Sequence, residues 1–266
     1  MADLFTNNDF RHGRPQVLMQ ADKHPKILLL WQHGDERLGP DLGYYLYSQR
    51  PDLLQYVDYL CGNPQAASQD PPAHWTDADL NRSYGQSAEP TYETKRAREI
   101  VDIIRQGNYE YVLDVHTSVT DVGHFAIAPR LSTAVRRLIA ASDEQRVVVL
   151  SPDLYQVSLA GQFEQVLALE YNQALADQPE TLEQLATMLD RLAGLQPATE
   201  PRAREIFYID GPIPKAEDPG VDARNFELCK DGYYPVLLGT GKRSYREDPT
   251  KTYLGFAARR REEVVL

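Results

Sequence analysis

Cysteine is nearly missing from this chain: Cys61 and Cys229 are the only two, and they stand far apart. A disulfide framework is excluded, and thiols this sparse suit a reducing compartment. Long hydrophobic runs are missing too. The longest, Ile27–Trp31, falls far short of the ~20 apolar residues that span a bilayer. Residues 1–15 are polar and lack the apolar core of a signal peptide. Positive charge is in deficit, with 28 basic against 39 acidic residues and a net charge of −11. Such a chain gains nothing from counterion release on DNA and is a poor partner for anionic lipid. The run Arg259-Arg260-Arg261 is followed at once by Glu262-Glu263 and reads as a solvated end. Repeats and low-complexity segments are absent. The expectation is a cytoplasmic protein with no nucleic-acid and no membrane partner.

What is present is ordinary for a folded protein: 42% hydrophobic and 25% charged residues in a chain of 266. Size scaling gives about 12,000 Å² exposed when folded against about 44,000 Å² unfolded, so a large core needs no covalent staples. Residues 26–32 (KILLLWQ) read as a buried strand from their continuous apolar run. Gly39-Pro40 opens a helical stretch to about residue 50. Residues 56–61 read as a second strand, and the polar stretch 62–90 as a long loop of the kind that usually carries function. Thr91 caps a helix to residue 105, with Ala97, Ile100, Val101 and Ile104 on one face and Gly107 as its stop. Strands follow at 111–116, 124–128, 146–150 and 165–170. Between them Leu131, Val135, Leu138 and Ile139 mark a helix, and another starts at Pro179 and ends at Gly194. Strands alternating with helices imply an α/β fold with a mainly parallel or mixed central sheet flanked by helices. Helical periodicity stops near residues 195–204. Short strands are expected at 205–209, 226–228, 235–238 and 252–257. The expected division is an α/β domain at 1–197 and a small all-β domain at 198–266.

His33 and Glu36 lie three apart just past the first buried strand, and His116 closes another. Ligands collect at the carboxyl ends of parallel strands. Two histidines and a carboxylate form a known catalytic zinc set that leaves one position for water. Asp114, two residues before His116, shares its strand face and could hold the second ring nitrogen. Arg82 offers a planar fork that grips a carboxylate, and Asn81 beside it offers an amide donor. Glu170 ends an apolar strand, where partial desolvation raises a carboxyl pKa and suits it to proton transfer. Taken singly, each of these also reads as an ordinary structural or surface residue.

Together they match a family. QHGDERLGP at 32–40 resembles the G-x-HG-x-E loop of the succinylglutamate desuccinylase/aspartoacylase family, within the zinc carboxypeptidase clan. GNPQA at 62–66 resembles its N-P-x-A segment, while DLNR at 79–82 and LDVHTS at 113–118 match two further hallmarks in the same order. ALEYN at 168–172 resembles the stretch that holds the family's catalytic glutamate. The C-terminal part, with GYYPVLLG at 232–239, is similar to the family's small β-domain.

The resemblance implies a zinc-carboxypeptidase-like fold with one Zn²⁺ held by His33, Glu36 and His116. It implies Arg82 and Asn81 on a substrate carboxylate, Glu170 as general base and acid, and Tyr245 near a substrate-contacting tyrosine. The chain also departs from the family. His74 stands where an arginine precedes the DLNR aspartate by five residues. Ala160 stands, in ungapped alignment, where a second substrate arginine precedes the glutamate by ten. The E-x-G context becomes Glu170-Tyr171-Asn172. A pocket for a doubly charged amino acid is therefore altered, with His74 a candidate substrate contact in place of the arginine. The implied activity is zinc-dependent hydrolysis of the amide bond of an N-acyl amino acid or similar small carboxylate. Two alternatives stay open: a carboxypeptidase-like peptidase on short peptides, and a zinc- or carboxylate-binding protein without catalysis. Assembly as a homo-oligomer is open as well, since nothing in the chain encodes it.

Overall fold

The computed structural model describes residues 5–85, 90–176, 178–220, 222–239 and 253–266. The strands among these residues are β1 (Val17–Leu18), β2 (Ile27–Trp31), β3 (Val57–Cys61), β4 (Tyr111–Ser118), β5 (His124–Ala128), β6 (Arg146–Val149), β7 (Val166–Asn172), β8 (Ala203–Pro214), β9 (Tyr234–Val236) and β10 (Tyr253–Val265). They form one mixed sheet in the order β1-β3-β2-β4-β7-β5-β6-β8-β10-β9. The pairs β3–β2, β2–β4, β4–β7, β5–β6 and β6–β8 are parallel, and β7–β5 is antiparallel. The helices are α1 (Asn7–Arg11), α2 (Leu38–Gln49), α3 (Pro64–Ala67), α4 (Tyr92–Gly107), α5 (Thr133–Ala141), α6 (Pro152–Tyr155) and α7 (Pro179–Leu192).

The apolar run of β2 is continuous because both of its faces are covered. Ile27, Leu29 and Trp31 join the core beneath α2, α5 and α7. Leu28 and Leu30 join a second core against Ile100 and Ile104 of α4. A third cluster, with Phe125, Val148, Phe207, Ile209 and Phe256, lies where β5 and β6 meet the C-terminal strands. Those strands extend the same sheet, because β8 pairs with β6.

Several boundaries differ from expectation, each for a local reason. α4 starts at its Thr91 capping box as expected, but it runs through Gly107. Asn108 closes it instead in the left-handed conformation, with φ of 51°, a role asparagine tolerates. The stretch expected as a loop at 62–90 contains α3, capped by the Asn63 side chain, and a 3-10 turn at Leu80–Arg82. Residues 226–228 form no strand: Phe226 takes φ of 65° in a turn whose amide donates to the Pro235 carbonyl. β8 and β10 are longer than expected because each pairs with the other almost end to end. Among the described residues, no helix is long and apolar enough to cross a membrane.

α2 packs so closely on the sheet that Gly39 is needed there: a Cβ would lie 2.2 Å from the Trp31 Cβ. Beneath it the Trp31 indole donates to the Tyr59 hydroxyl, so the indole has a fixed place. At an open helical position Gly→Ala would gain about 1 kcal/mol. Here Gly39→Ala is expected to lose about 1–3 kcal/mol by overpacking, read from the urea midpoint. A rise in the midpoint would contradict this contact.

Candidate active site

The parallel strands β2, β4 and β7 deliver their carboxyl ends side by side. β2 runs into Gln32-His33-Gly34-Asp35-Glu36, and β4 carries Asp114 and His116. His116 is in register with Glu170 of β7, so the two share a face of the sheet. The loop after β2 turns hard against α3. A Cβ at Gly34 would lie 2.4 Å from the Ala67 nitrogen and 2.6 Å from the Ala73 oxygen. That crowding explains a glycine between His33 and Glu36.

Glu36 sits between two imidazoles. His33 Nδ1 is 2.8 Å from its Oε1, and His116 Nδ1 is 3.3 Å from its Oε2. The far nitrogens are backed by acids: His33 Nε2 faces Asp79 Oδ1 at 3.1 Å, and His116 Nε2 faces Asp114 Oδ2 at 3.0 Å. Gln32 Nε2 donates to the same Asp114 oxygen at 2.5 Å. His33, Glu36, Asp114 and His116 are all buried. Burial opposes a charged His33, but the Glu36 and Asp79 carboxylates outweigh it and push the imidazole up to about 10. His116 is pushed well up in the same way by Asp114 and Glu36. Burial opposes ionisation of Glu36 as well, yet the two imidazoles hold it well below the usual carboxylate range. Asp79 is likewise held down against its burial by His33. The cluster therefore demands positive charge at its centre.

A divalent ion fits that demand. Donors held ~2.0–2.1 Å from a tetrahedral ion lie about 3.3 Å apart; the two imidazole–Glu36 separations of 2.8 and 3.3 Å are of that order, while among the described residues the three whose ligand atoms converge within 4.8 Å are His33, Glu36 and His74. Glu36 Oε2 is buried and accepts no hydrogen bond. Carboxylates behind ligand imidazoles are the usual orienting partners of a metal site. The donor set also has the His₂Glu composition of catalytic zinc sites.

The polar loop reaches the site because Glu93 holds it there. This glutamate in the first turn of α4 is fully buried. Its carboxylate accepts from the backbone amides of Thr76, Asp77 and Ala78 and from Asn63 Nδ2, at 2.7–3.3 Å. The segment so held carries His74 and leads to Asp79. His74 stacks on His33 with centroids 3.9 Å apart and gives Nδ1 to Asp35 at 2.7 Å. One ligand atom each from His33, Glu36 and His74 lies within 4.8 Å of the others.

These groups line a cavity of about 420 Å³ together with Asn81, Arg82, Ala160, Ala168 and Glu170. Arg82 is exposed and its Nη1 donates to the Asn81 carbonyl at 2.9 Å. Asn81 Oδ1 accepts from the Leu159 amide at 3.4 Å, which ties the anchor loop to the 3-10 turn Leu159–Gly161. Burial pushes Glu170 up to about 7, against the pull of His116. The structure thus brings together His33, Glu36, His74, Asn81, Arg82, His116 and Glu170 at one cavity, while Tyr245 lies outside the described residues.

A profile of the succinylglutamate desuccinylase/aspartoacylase catalytic domain matches residues 32–195. The chain belongs to this family. The membership makes it an aspartoacylase/desuccinylase-like deacylase, and the matched stretch contains every candidate residue above except Tyr245. Solved structures share the fold at low identity. Murine aminoacylase 3 superposes with a TM-score of 0.66 at 18% identity, over 90% of this chain and 96% of that one. The succinylglutamate desuccinylase of Vibrio parahaemolyticus gives 0.63 at 16%, over 92% and 83%. An aspartoacylase family protein from Mesorhizobium loti gives 0.53 at 15%, over 89% and 78%. No curated protein matches the chain.

Sequence reasoning missed Asp35, Asp79 and Glu93 as parts of this deacylase-family site. Asp79 lay inside DLNR, so the motif carried the signal. Glu93 carried none, because an acid in a first helical turn is ordinary. Glu93→Gln presents an amide nitrogen toward backbone donors. It is expected to cost about 1–3 kcal/mol and to speed amide exchange at Thr76, Asp77 and Ala78. Unchanged exchange there would contradict the role given to Glu93.

Proposed function

We propose that this deacylase-family protein hydrolyses the amide bond of an N-acyl amino acid or a similar small carboxylate, with zinc held by His33, Glu36 and His116. The observation that supports the reading is Glu170 standing in register with His116 and lining the same cavity as His33 and Glu36. Zinc held by His33, Glu36 and His116 would supply Lewis acidity to the scissile carbonyl and to the attacking water.

The chain's own side chains do the rest. Glu170 takes a proton from the attacking water as the water oxygen adds to the carbonyl carbon. The C–N bond then breaks, and Glu170 returns that proton to the departing nitrogen. One water is consumed, and a carboxylate and an amine are released. Arg82 grips the substrate carboxylate with its planar fork, and the Asn81 side chain supports that end. Asp79 hydrogen-bonds His33 Nε2 and orients that ring, while Asp114 faces His116 Nε2 at 3.0 Å as a charge partner. The reaction partner is a small-molecule carboxylate.

A general base works when ionised, so activity is lost as pH falls through its pKa. Glu170 is pushed up to about 7 by its burial, and a bound dication draws it lower. The acid limb of kcat/KM is therefore expected at or below pH 7. Zinc-loaded Glu170→Gln should keep its metal and lose roughly 10²–10⁴-fold in kcat. Retained turnover in that variant would remove Glu170 from this role.

A further inference from the structure

Of the histidines that line the cavity, His33, His74 and His116, His74 alone has no part in the chemistry above. Its Nδ1 meets Asp35 Oδ1 at 2.7 Å, and its Nε2 takes no hydrogen-bond partner among the described residues. An imidazole that gives its Nδ1–H to a carboxylate keeps a lone pair on Nε2. That is the arrangement of a metal-ligating histidine with an acid behind it. His33 shows the same pattern turned round, with Nδ1 on Glu36 and Nε2 on Asp79.

Several contacts hold the ring in this place. The Gly34 amide, next to His33, donates to the His74 carbonyl at 3.3 Å. The His33 ring stacks on His74 with centroids 3.9 Å apart, and the Trp75 ring meets it edge-on at 4.9 Å. The chain just beyond is bound by the buried Glu93 carboxylate at Thr76, Asp77 and Ala78. His74 is thereby set against the loop that carries His33 and Glu36. One ligand atom of each of these three residues lies within 4.8 Å of the others. His116 approaches the second oxygen of the same Glu36 carboxylate.

We propose that His74 is a further ligand of the ion held by His33, Glu36 and His116, so that the resting site offers three imidazoles rather than two. This rests on the zinc-hydrolase reading for the presence of the metal. A shared ion lies in the plane of each ligand ring. The His33 and His74 planes stand only 21° apart, so the His74 ring turns out of the stack on metal binding, pivoting on its bond to Asp35. Catalytic zinc sites expand to five donors, which leaves a place for water. His74 is then a metal residue and not a substrate contact. Arg82 remains, among the described residues, the one Lys or Arg lining the cavity.

The test counts imidazoles at the metal. Cobalt(II) replaces zinc, and proton NMR reads the hyperfine-shifted, solvent-exchangeable ring N–H of each ligating histidine. Three such protons are expected in the wild type and two in His74→Ala. Zinc dissociation constants are measured beside this by competition with a chromophoric chelator. Asp35→Asn should weaken zinc by about 10- to 100-fold, and His74→Ala by at least as much. The Asp35→Asn loss should vanish in the His74→Ala background, because Asp35 acts on the metal through that ring. His74→Phe keeps a ring against His33 without a ligand nitrogen, and covers the case in which His74→Ala does not fold.

Two shifted ring protons in the wild type would overturn the proposal, whatever the affinities, and leave the metal site standing. An Asp35→Asn loss that persists without His74 would overturn it too. So would a His74→Ala variant that binds zinc as tightly as the wild type and only raises KM for an N-acyl amino acid, because His74 would then touch substrate. A wild type that binds neither metal would remove the zinc reading and this proposal with it.

Discussion

A buried carboxylate held between two buried imidazoles is the constraint that organises this molecule. Glu36 offers one oxygen to each ring, and neither ring nor carboxylate has much contact with water. Charges removed from water are costly unless compensated. Here the compensation extends outward through Asp79 and Asp114, and Gln32 donates to the latter. Gln32, His33 and Glu36 lie just beyond the carboxyl end of β2, Asp114 and His116 in the middle and second half of β4, and Asp79 on the loop folded over them. The surplus of acid over base in the cluster suits a cation.

The scaffold is built to keep that cluster in place. The adjacent strands β2 and β4 bring the histidines together through their register, and β7 adds Glu170 one strand further on. The polar loop between β3 and α4 would be costly to order by itself. Glu93 and the Asn63 cap give it backbone partners, and it becomes the roof that carries His74 and Asp79. Beyond Glu170 the same sheet turns apolar across β5, β6 and β8, so Glu170 stands at the border between a charged cluster and an apolar one.

The parallel half of the sheet was legible because its signals are local. A five-residue apolar run between loops needs no tertiary information, and neither does the Thr91 cap of α4. That His33, Glu36, His116 and Glu170 meet at one cavity was legible because ends of buried parallel strands leave few places to go. The C-terminal strands were harder. β8 and β10 owe their length to pairing with each other, and the turn at Phe226 owes its conformation to the Pro235 carbonyl. Such partners are distant in sequence and leave no period to read. Glu93 was invisible for the same reason, since its function lies in three amides some fifteen residues earlier. His74 stood out only as a departure from the family. Its stacking on His33 and its bond to Asp35 are properties of the folded loop.

Metal content tests the central claim most directly. The purified protein and its His116→Ala variant, both supplied with zinc and then dialysed, are compared by elemental analysis. The account predicts close to one zinc per chain in the first and a large loss in the second. An absence of zinc from both, with the folded state intact, would contradict the cation-centred site and the hydrolytic chemistry built on it.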